Sequence, residues 1–347
     1  NCKNDVLRVA SGVLLNNQIP EPEVLPAPKL LECVLQNCKG RVDDCVAPYL
    51  AVALERLKTC ELTYLKDLLV QIVANCLWYD ASLTLDILVK NGALGTALQT
   101  WFAMLNDRTR GGDKRRHHRR EHDKKVCILG LVALIQTPEP NLPAEVAAGM
   151  GQICSAVVSL LVDLRTQEKE RKEFEAKNPG GFYGHGWGSD DDDFGGDEDL
   201  GEDDEDDEEP VLDPAELAAM AKRAQSVNPF RRRGGDDEDD DDDEDFDDGM
   251  LTDDENFTSP IDDIDPFTLF AETVTVVQSA DAGRFQALAG GLDAAGKQTM
   301  QELVAYAGIR REELAKEKAE DEAKKAAAQA KAGPGAIPVQ RAGHENH

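Results

Sequence analysis

The sequence predicts an all-α chain, an α-solenoid of stacked helical pairs with a long disordered acidic insertion. Three observations predict it. From residue 3 to about 166, apolar residues recur at three-and-four spacing in segment after segment, joined by turns of a few residues. No strand-like alternation interrupts them. The charge imbalance is confined to one stretch: residues 190–265 hold 35 Asp and Glu against five bases, a local sum of −30 that equals the net charge of the whole 347-residue chain.

The first element, Asp5 to Asn17, sets Val6, Val9, Val13 and Leu14 along one side, and Pro20, Pro22, Pro26 and Pro28 then break the chain. Leu30 to Cys38 carries Leu30, Leu31, Val34, Leu35 and Cys38 on one face and ends at Gly40. Asp43 or Asp44 is placed to cap the next helix, whose stripe is Val46, Leu50, Ala53, Leu54 and Leu57, with Pro48 expected to bend or delay its start. Glu61 to Tyr79 has an apolar surface broad enough for two neighbours. Ala81 to Lys90 stops at Asn91-Gly92, and Leu94 to Leu105, Lys125 to Ile135 and Pro143 to Leu164 complete eight helices. Short helices with wide apolar faces need neighbours to cover them, which a solenoid of the HEAT or armadillo kind supplies. A compact bundle is the competing arrangement.

Residues 1–166 are therefore read as HEAT-like repeats, 167–189 as a polar helix extension with a Gly/aromatic linker, and 190–265 as the disordered insertion. Asp213-Pro214-Ala215-Glu216 opens a short helix near 213–225 inside it. Order returns at 266–331. There Phe267, Phe270, Val274 and Val277 make one stripe, Phe285, Leu288 and Leu292 a second, and Met300, Leu303, Val304 and Ala307 a third. These elements are too small to stand alone and are expected to pack back on the first block. Residues 332–347 read as a flexible tail.

The acidic stretch cannot bury enough apolar surface to offset ordering entropy of about 1–2 kcal/mol per residue. Such runs commonly do no more than solubilise. A polyanion also steers cationic partners and raises encounter rates, and this reading makes the arm a surface for basic proteins. Its candidate binding residues are Asp190, Asp191, Asp192 and Asp193; Glu202, Asp203, Asp204, Glu205, Asp206 and Asp207; and Asp236, Asp237, Glu238, Asp239, Asp240, Asp241, Asp242, Asp243, Glu244 and Asp245. Ser189 and Thr252 precede acidic runs and suit an acid-directed kinase, while Ser259-Pro260 suits a proline-directed one.

Arg108 to Lys125 holds nine Lys or Arg with His117, His118 and His122, and reads as an exposed basic loop. It is a solvated loop, a patch for nucleic acid or a nuclear targeting receptor, or an internal counter-charge for the acidic arm through Lys114, Arg115, Arg116, Arg119 and Arg120. The eight cysteines include no C-x-x-C pair and mostly sit in apolar helical patterns, so they read as small buried hydrophobes in a reducing compartment rather than a metal site. There is no phosphate-binding Gly-rich loop and no G-x-S-x-G serine. No leader or spanning segment is apparent, and the opening at Asn1 fits a fragment or a processed product. The reading is a binding protein with no cofactor, no membrane contact and no direct nucleic-acid contact.

Lys29-Leu30-Leu31-Glu32, Gln36-Asn37-Cys38-Lys39-Gly40-Arg41, Ala53-Leu54-Glu55-Arg56-Leu57 and Lys125-Val126-Cys127-Ile128-Leu129-Gly130-Leu131 resemble the last HEAT repeats of the importin-β superfamily, closest to the subgroup of importins seven and eight. The order of parts agrees; the loop at 108–125 and the cluster Arg231-Arg232-Arg233 depart from the family pattern. The resemblance implies the cargo-binding C-terminal third of a nuclear transport receptor that shuttles between nucleus and cytoplasm. Its implied cargo is basic, such as ribosomal proteins and histones. It also implies exchange against Ran-GTP and contact with Phe-Gly nucleoporins, mostly through parts outside this chain, and importin-β as a further partner. An acidic chaperone that shields basic proteins without transport is the alternative.

Overall fold

The structure is a computed structural model that describes residues 2–109, 115–177 and 259–331. The described chain is all-α, and its only extended pairing is an isolated bridge between Arg108 and Arg115. Helices α1 (Cys2–Leu14), α2 (Glu21–Val24), α3 (Pro26–Asn37), α4 (Asp43–Leu57), α5 (Thr63–Tyr79), α6 (Ala81–Lys90), α7 (Leu94–Asn106), α8 (Glu121–Gln136), α9 (Ala144–Ala148) and α10 (Met150–Lys177) form the first block. Helices α11 (Pro266–Ala280), α12 (Ala282–Gly290) and α13 (Ala294–Lys331) follow the acidic stretch. The helix at 213–225, Ser189, Thr252, Lys114 and every acidic residue from Asp190 to Glu255 lie outside the described residues.

The helices stack in two layers. One runs α3, α5, α8, α10, each packed on the next, and the other runs α1, α4, α6, with α4 closing on α5. This is the pairwise stacking of a HEAT solenoid. α5 sits at its centre, and 14 of its 17 residues are buried, which is why its apolar surface runs nearly all round. Helix α11 packs on α8, α12 on α10, and α13 on both α10 and α11. Phe267, Phe270, Val274, Val277, Leu288 and Met300 are the buried contacts. Arg284 at the start of α12 donates to the carbonyls of Ile135 and Thr137, each at 2.6 Å, and so satisfies the open C-terminal end of α8.

Several local readings change. The prolines do not break the chain at 20–28; Pro22 and Pro26 begin helices, where the missing N–H has no partner to lose. Neither Asp43 nor Asp44 caps α4. Val42 holds that position, its N–H bonds to the Tyr79 hydroxyl at 3.0 Å, that hydroxyl donates to Asp43, and Asp44 pairs with Lys3 at 2.6 Å. Pro48 lies inside α4 without delaying its start. Pro143 to Leu164 is not one helix: it divides at Gly149, and α10 then runs on to Lys177. Next to the division, a Cβ added to Gly291 would lie 2.4 Å from the Gly151 backbone, so two chain segments touch where only glycine fits.

The N-terminus of α5 has an unusual cap from a distant residue. Glu21 accepts from the N–H of Leu62 at 2.6 Å and of Glu61 at 3.1 Å, and it pairs with buried Arg56 at 3.0 Å. Glu21→Ala strips all three donors of their acceptor and is expected to lower stability by about 2 kcal/mol, read from the urea midpoint. A loss below about 0.5 kcal/mol would mean that water replaces the carboxylate without penalty.

Candidate functional site

Half of the described basic residues assigned to an exposed loop are inside. Arg115, His117, His118, Arg120 and Lys124 are buried, Arg119 is half-buried and Arg116 is exposed. The expectation of a solvated loop fails because three carboxylates on three helices meet it: Asp67 on α5, Asp123 on α8 and Asp163 on α10.

Arg115 donates to Asp163, to the Leu105 carbonyl, and to Ser159 Oγ at 2.7 Å; Arg108 joins the same serine and aspartate. Asp67 lies 2.6 Å from His117 Nδ1 and accepts the backbone N–H of His118 at 3.0 Å. That bond holds His118 at φ 53, a left-handed conformation that side chains rarely adopt. Asp123 accepts from the Arg120 guanidinium at 2.7 Å and from the Arg120 N–H at 3.2 Å, which makes it the start signal of α8. The guanidinium also lies 4.6 Å from the centre of the Tyr64 ring. Burial alone would raise the Asp123 carboxyl, but Arg120, His118 and His122 outweigh it and hold it below the usual carboxylate range. Burial pushes His118 below the usual imidazole range against the pull of Asp67 and Asp123, and it brings Lys124 down to about 8.

A chain of side-chain hydrogen bonds runs on from this cluster. Gln71 donates to Asp123 at 2.8 Å, Asn75 to the Gln71 carbonyl at 3.0 Å, and Gln36 to Asn75 at 3.0 Å. Its far end is Ser259, whose hydroxyl donates to Gln36. Ser259, which with Pro260 suits a proline-directed kinase, is 3% exposed. Residues ahead of 266 are therefore already packed on the helices, and Asp265 works as the cap of α11, accepting from Thr268 N at 2.8 Å and pairing with Arg310 at 3.0 Å. Arg310 also reaches the buried Glu168 at 3.5 Å, tying α13 to α10.

The open feature on the other layer is a groove of about 500 Å³ between α4, α6 and α7. It is lined by Leu50, Leu54, Leu57, Ile87, Leu88 and Ala97, with Glu55 and Lys58 also on its wall. Sequence periodicity marked most of these residues as core and gave no sign that they border a cleft. Burial raises the thiols of Cys76 and Cys127 well above the usual range and that of Cys154 to about 12, which keeps these three in the unreactive thiol form. Among the described residues no cluster suits a metal ion, and no helix is long and apolar enough to cross a membrane.

No protein-family model and no solved structure matches the chain. Curated relatives do. An importin beta-like SAD2 homolog of Arabidopsis thaliana is 37% identical over 318 residues, 92% of this chain and 29% of that protein. Importin-8 of Danio rerio is 29% identical over 88% of this chain, and importin-8 of Homo sapiens 28% identical over 82%, covering 28% and 26% of those proteins. The chain thus spans less than a third of the length of the relatives it matches. Sequence identity that runs across the helical layers and continues through the returning helices, on a stack built in this way, leaves one conclusion: the chain belongs to the importin-β family.

Proposed function

We propose that this chain is part of a nuclear transport receptor, and that its acidic stretch binds basic cargo such as ribosomal proteins and histones in a Ran-dependent cycle between cytoplasm and nucleus. Family membership supports the transport role. The observation that carries the cargo reading is the separation of charge. The stretch holds the entire −30, while Arg115, Arg120 and Lys124 are buried among carboxylates and amides of the helical stack. Those cations are committed inside the fold, so the negative field of the arm is offered to partners carrying positive charge. Ran-GTP and importin-β are proposed partners of the whole receptor. Phe-Gly nucleoporins are another, and the apolar groove between α4, α6 and α7 has the lining that an aromatic side chain needs.

The test removes residues 190–255 and spares 259–265, which belong to the packed fold. Linker-histone binding by the shortened chain is expected to be at least tenfold weaker at low salt. The difference from the full chain should shrink as salt rises, since Coulomb steering is screened beyond about 10 Å at 0.1 M. Equal affinity and equal salt slope for the two chains would remove the arm from cargo recognition.

A further inference from the structure

We propose that Ser259 is a phosphorylation site for a proline-directed kinase, and that the phosphate ejects residues 259–264 from their seat on α3 and α8. The segment is a small, separable latch. Ser259 bonds to Gln36 of α3, and Lys125 of α8 donates to the Asp262 carbonyl at 3.0 Å. Within the segment, Asp262 accepts the Ser259 N–H at 2.6 Å and returns its own N–H to the Ser259 carbonyl at 2.9 Å. One fully buried apolar side chain, Ile261, is inserted beneath it. Helix α11 does not depend on this seat, because Asp265 caps it, Arg310 holds Asp265, and Phe267 and Phe270 are buried beyond. A segment with so few contacts opens at a free energy well below that of global unfolding. When it opens, Ser259-Pro260 is presented as extended chain, the form a proline-directed kinase takes.

The transfer moves the γ-phosphoryl group of ATP to Ser259 Oγ; the hydroxyl proton passes to the kinase's base and ADP leaves. The product cannot go back. A phosphate adds about −1.5 to −2 charges and three acceptor oxygens. In the closed seat its position faces the Gln36 carbonyl oxygen, itself an acceptor, and the Asp262 carboxylate occupies the Ser259 N–H. The amide nitrogen of Gln36 is already given to Asn75, and the Lys125 ammonium to the Asp262 carbonyl. Modification thus traps the open state of a two-state element. The latch begins four residues after the acidic run that ends at Glu255, and it carries Asp262 and Asp263, both exposed to water in the closed seat. This inference does not rest on the transport reading.

The full chain is incubated with a mitogen-activated protein kinase and Mg-ATP, beside Gln36→Ala, Ser259→Ala and a peptide covering 254–266. Ser259 is expected to be labelled in the full chain, and at least fivefold faster in Gln36→Ala, where the hydroxyl has lost its acceptor. The Asp262 and Ile264 amides, bonded to the carbonyls of Ser259 and Ile261 in the latch, are expected to exchange hydrogen at least tenfold faster after labelling. Any of three results overturns the proposal. The first is undiminished label in Ser259→Ala, which points to Thr137-Pro138. The second is label in the peptide but in neither the full chain nor Gln36→Ala. The third is a labelled chain that keeps the protection of both amides.

Discussion

Replacing Asp123 by alanine is expected to lower the unfolding free energy by about 3–5 kcal/mol, the cost of leaving a buried partner charge uncompensated. Asp123 is 1% exposed and serves three groups at once: the Arg120 guanidinium, the Arg120 N–H that starts α8, and the Gln71 amide. A typical domain has only about 5–15 kcal/mol in hand, so the urea midpoint should fall by about a fifth or more. The dependence on pH has a definite sign. A carboxyl held below its ordinary value contributes stability that is complete above the usual carboxylate range near 4 and is lost as pH falls through the lower folded value. His118, pushed below the ordinary imidazole value near 6.5, acts in the same direction at higher pH. Below about 6.5 the unfolded chain takes a proton there that the folded chain refuses, so stability declines. An acid titration of the wild type should show both declines, and Asp123→Ala should lose the lower one. A variant that unfolds at the wild-type urea concentration would show that the cluster is incidental to the fold.

Gly130→Val is expected to cost about 3 kcal/mol, through overpacking. Gly130 of α8 crosses Ala74 of α5 so closely that an added Cβ would stand 2.8 Å from the Ala74 Cα and 2.9 Å from its carbonyl oxygen. Two opposing effects decide the smaller change, Gly130→Ala. Alanine gains about 1 kcal/mol of helix propensity over glycine, and the clash costs about 1–3 kcal/mol, so the net is a loss. Gly12 of α1 supplies the contrast, since nothing lies within 4 Å of its added Cβ. The same Gly→Ala change there is expected to be neutral or to stabilise by up to about 1 kcal/mol. Ala74→Gly should rescue part of the loss in Gly130→Ala. If the alanine variants at 12 and 130 melted alike, the close crossing of α5 and α8 would be refuted.

What could be read without coordinates was the part written locally. Ala81–Lys90 has the boundaries expected for it, because Asp80 caps it through the Leu83 N–H and Gly92 takes the left-handed turn that ends it. The stripes of α5 and α11 face the core as their spacing required, while on α3 Leu31 and Leu35 are buried and Leu30, placed on the same face, is exposed. The basic loop was misread because exposure was inferred from composition. Asp67, Asp123 and Asp163 stand far apart along the chain, and each resembles an ordinary solvent-facing acid until stacking brings α5, α8 and α10 together. The same reasoning assigned Asp265 to the acidic stretch, although Asp265-Pro266 is a helix start of the kind recognised at Asp213-Pro214. Charge counting sets a boundary by composition; the fold sets it by which side chains find partners.

The packing of α11–α13 against α8 and α10 has a consequence for biosynthesis. Roughly 90 residues separate Lys177 from Pro266, and at about 5–20 residues per second the ribosome needs on the order of 5–20 s to make them. Throughout that interval the nascent helices that will meet Phe267, Phe270 and Leu288 stand finished and bare. The acidic stretch is the stretch translated during the wait, so the growing chain holds its highest density of like charge just when its greasiest surface is uncovered.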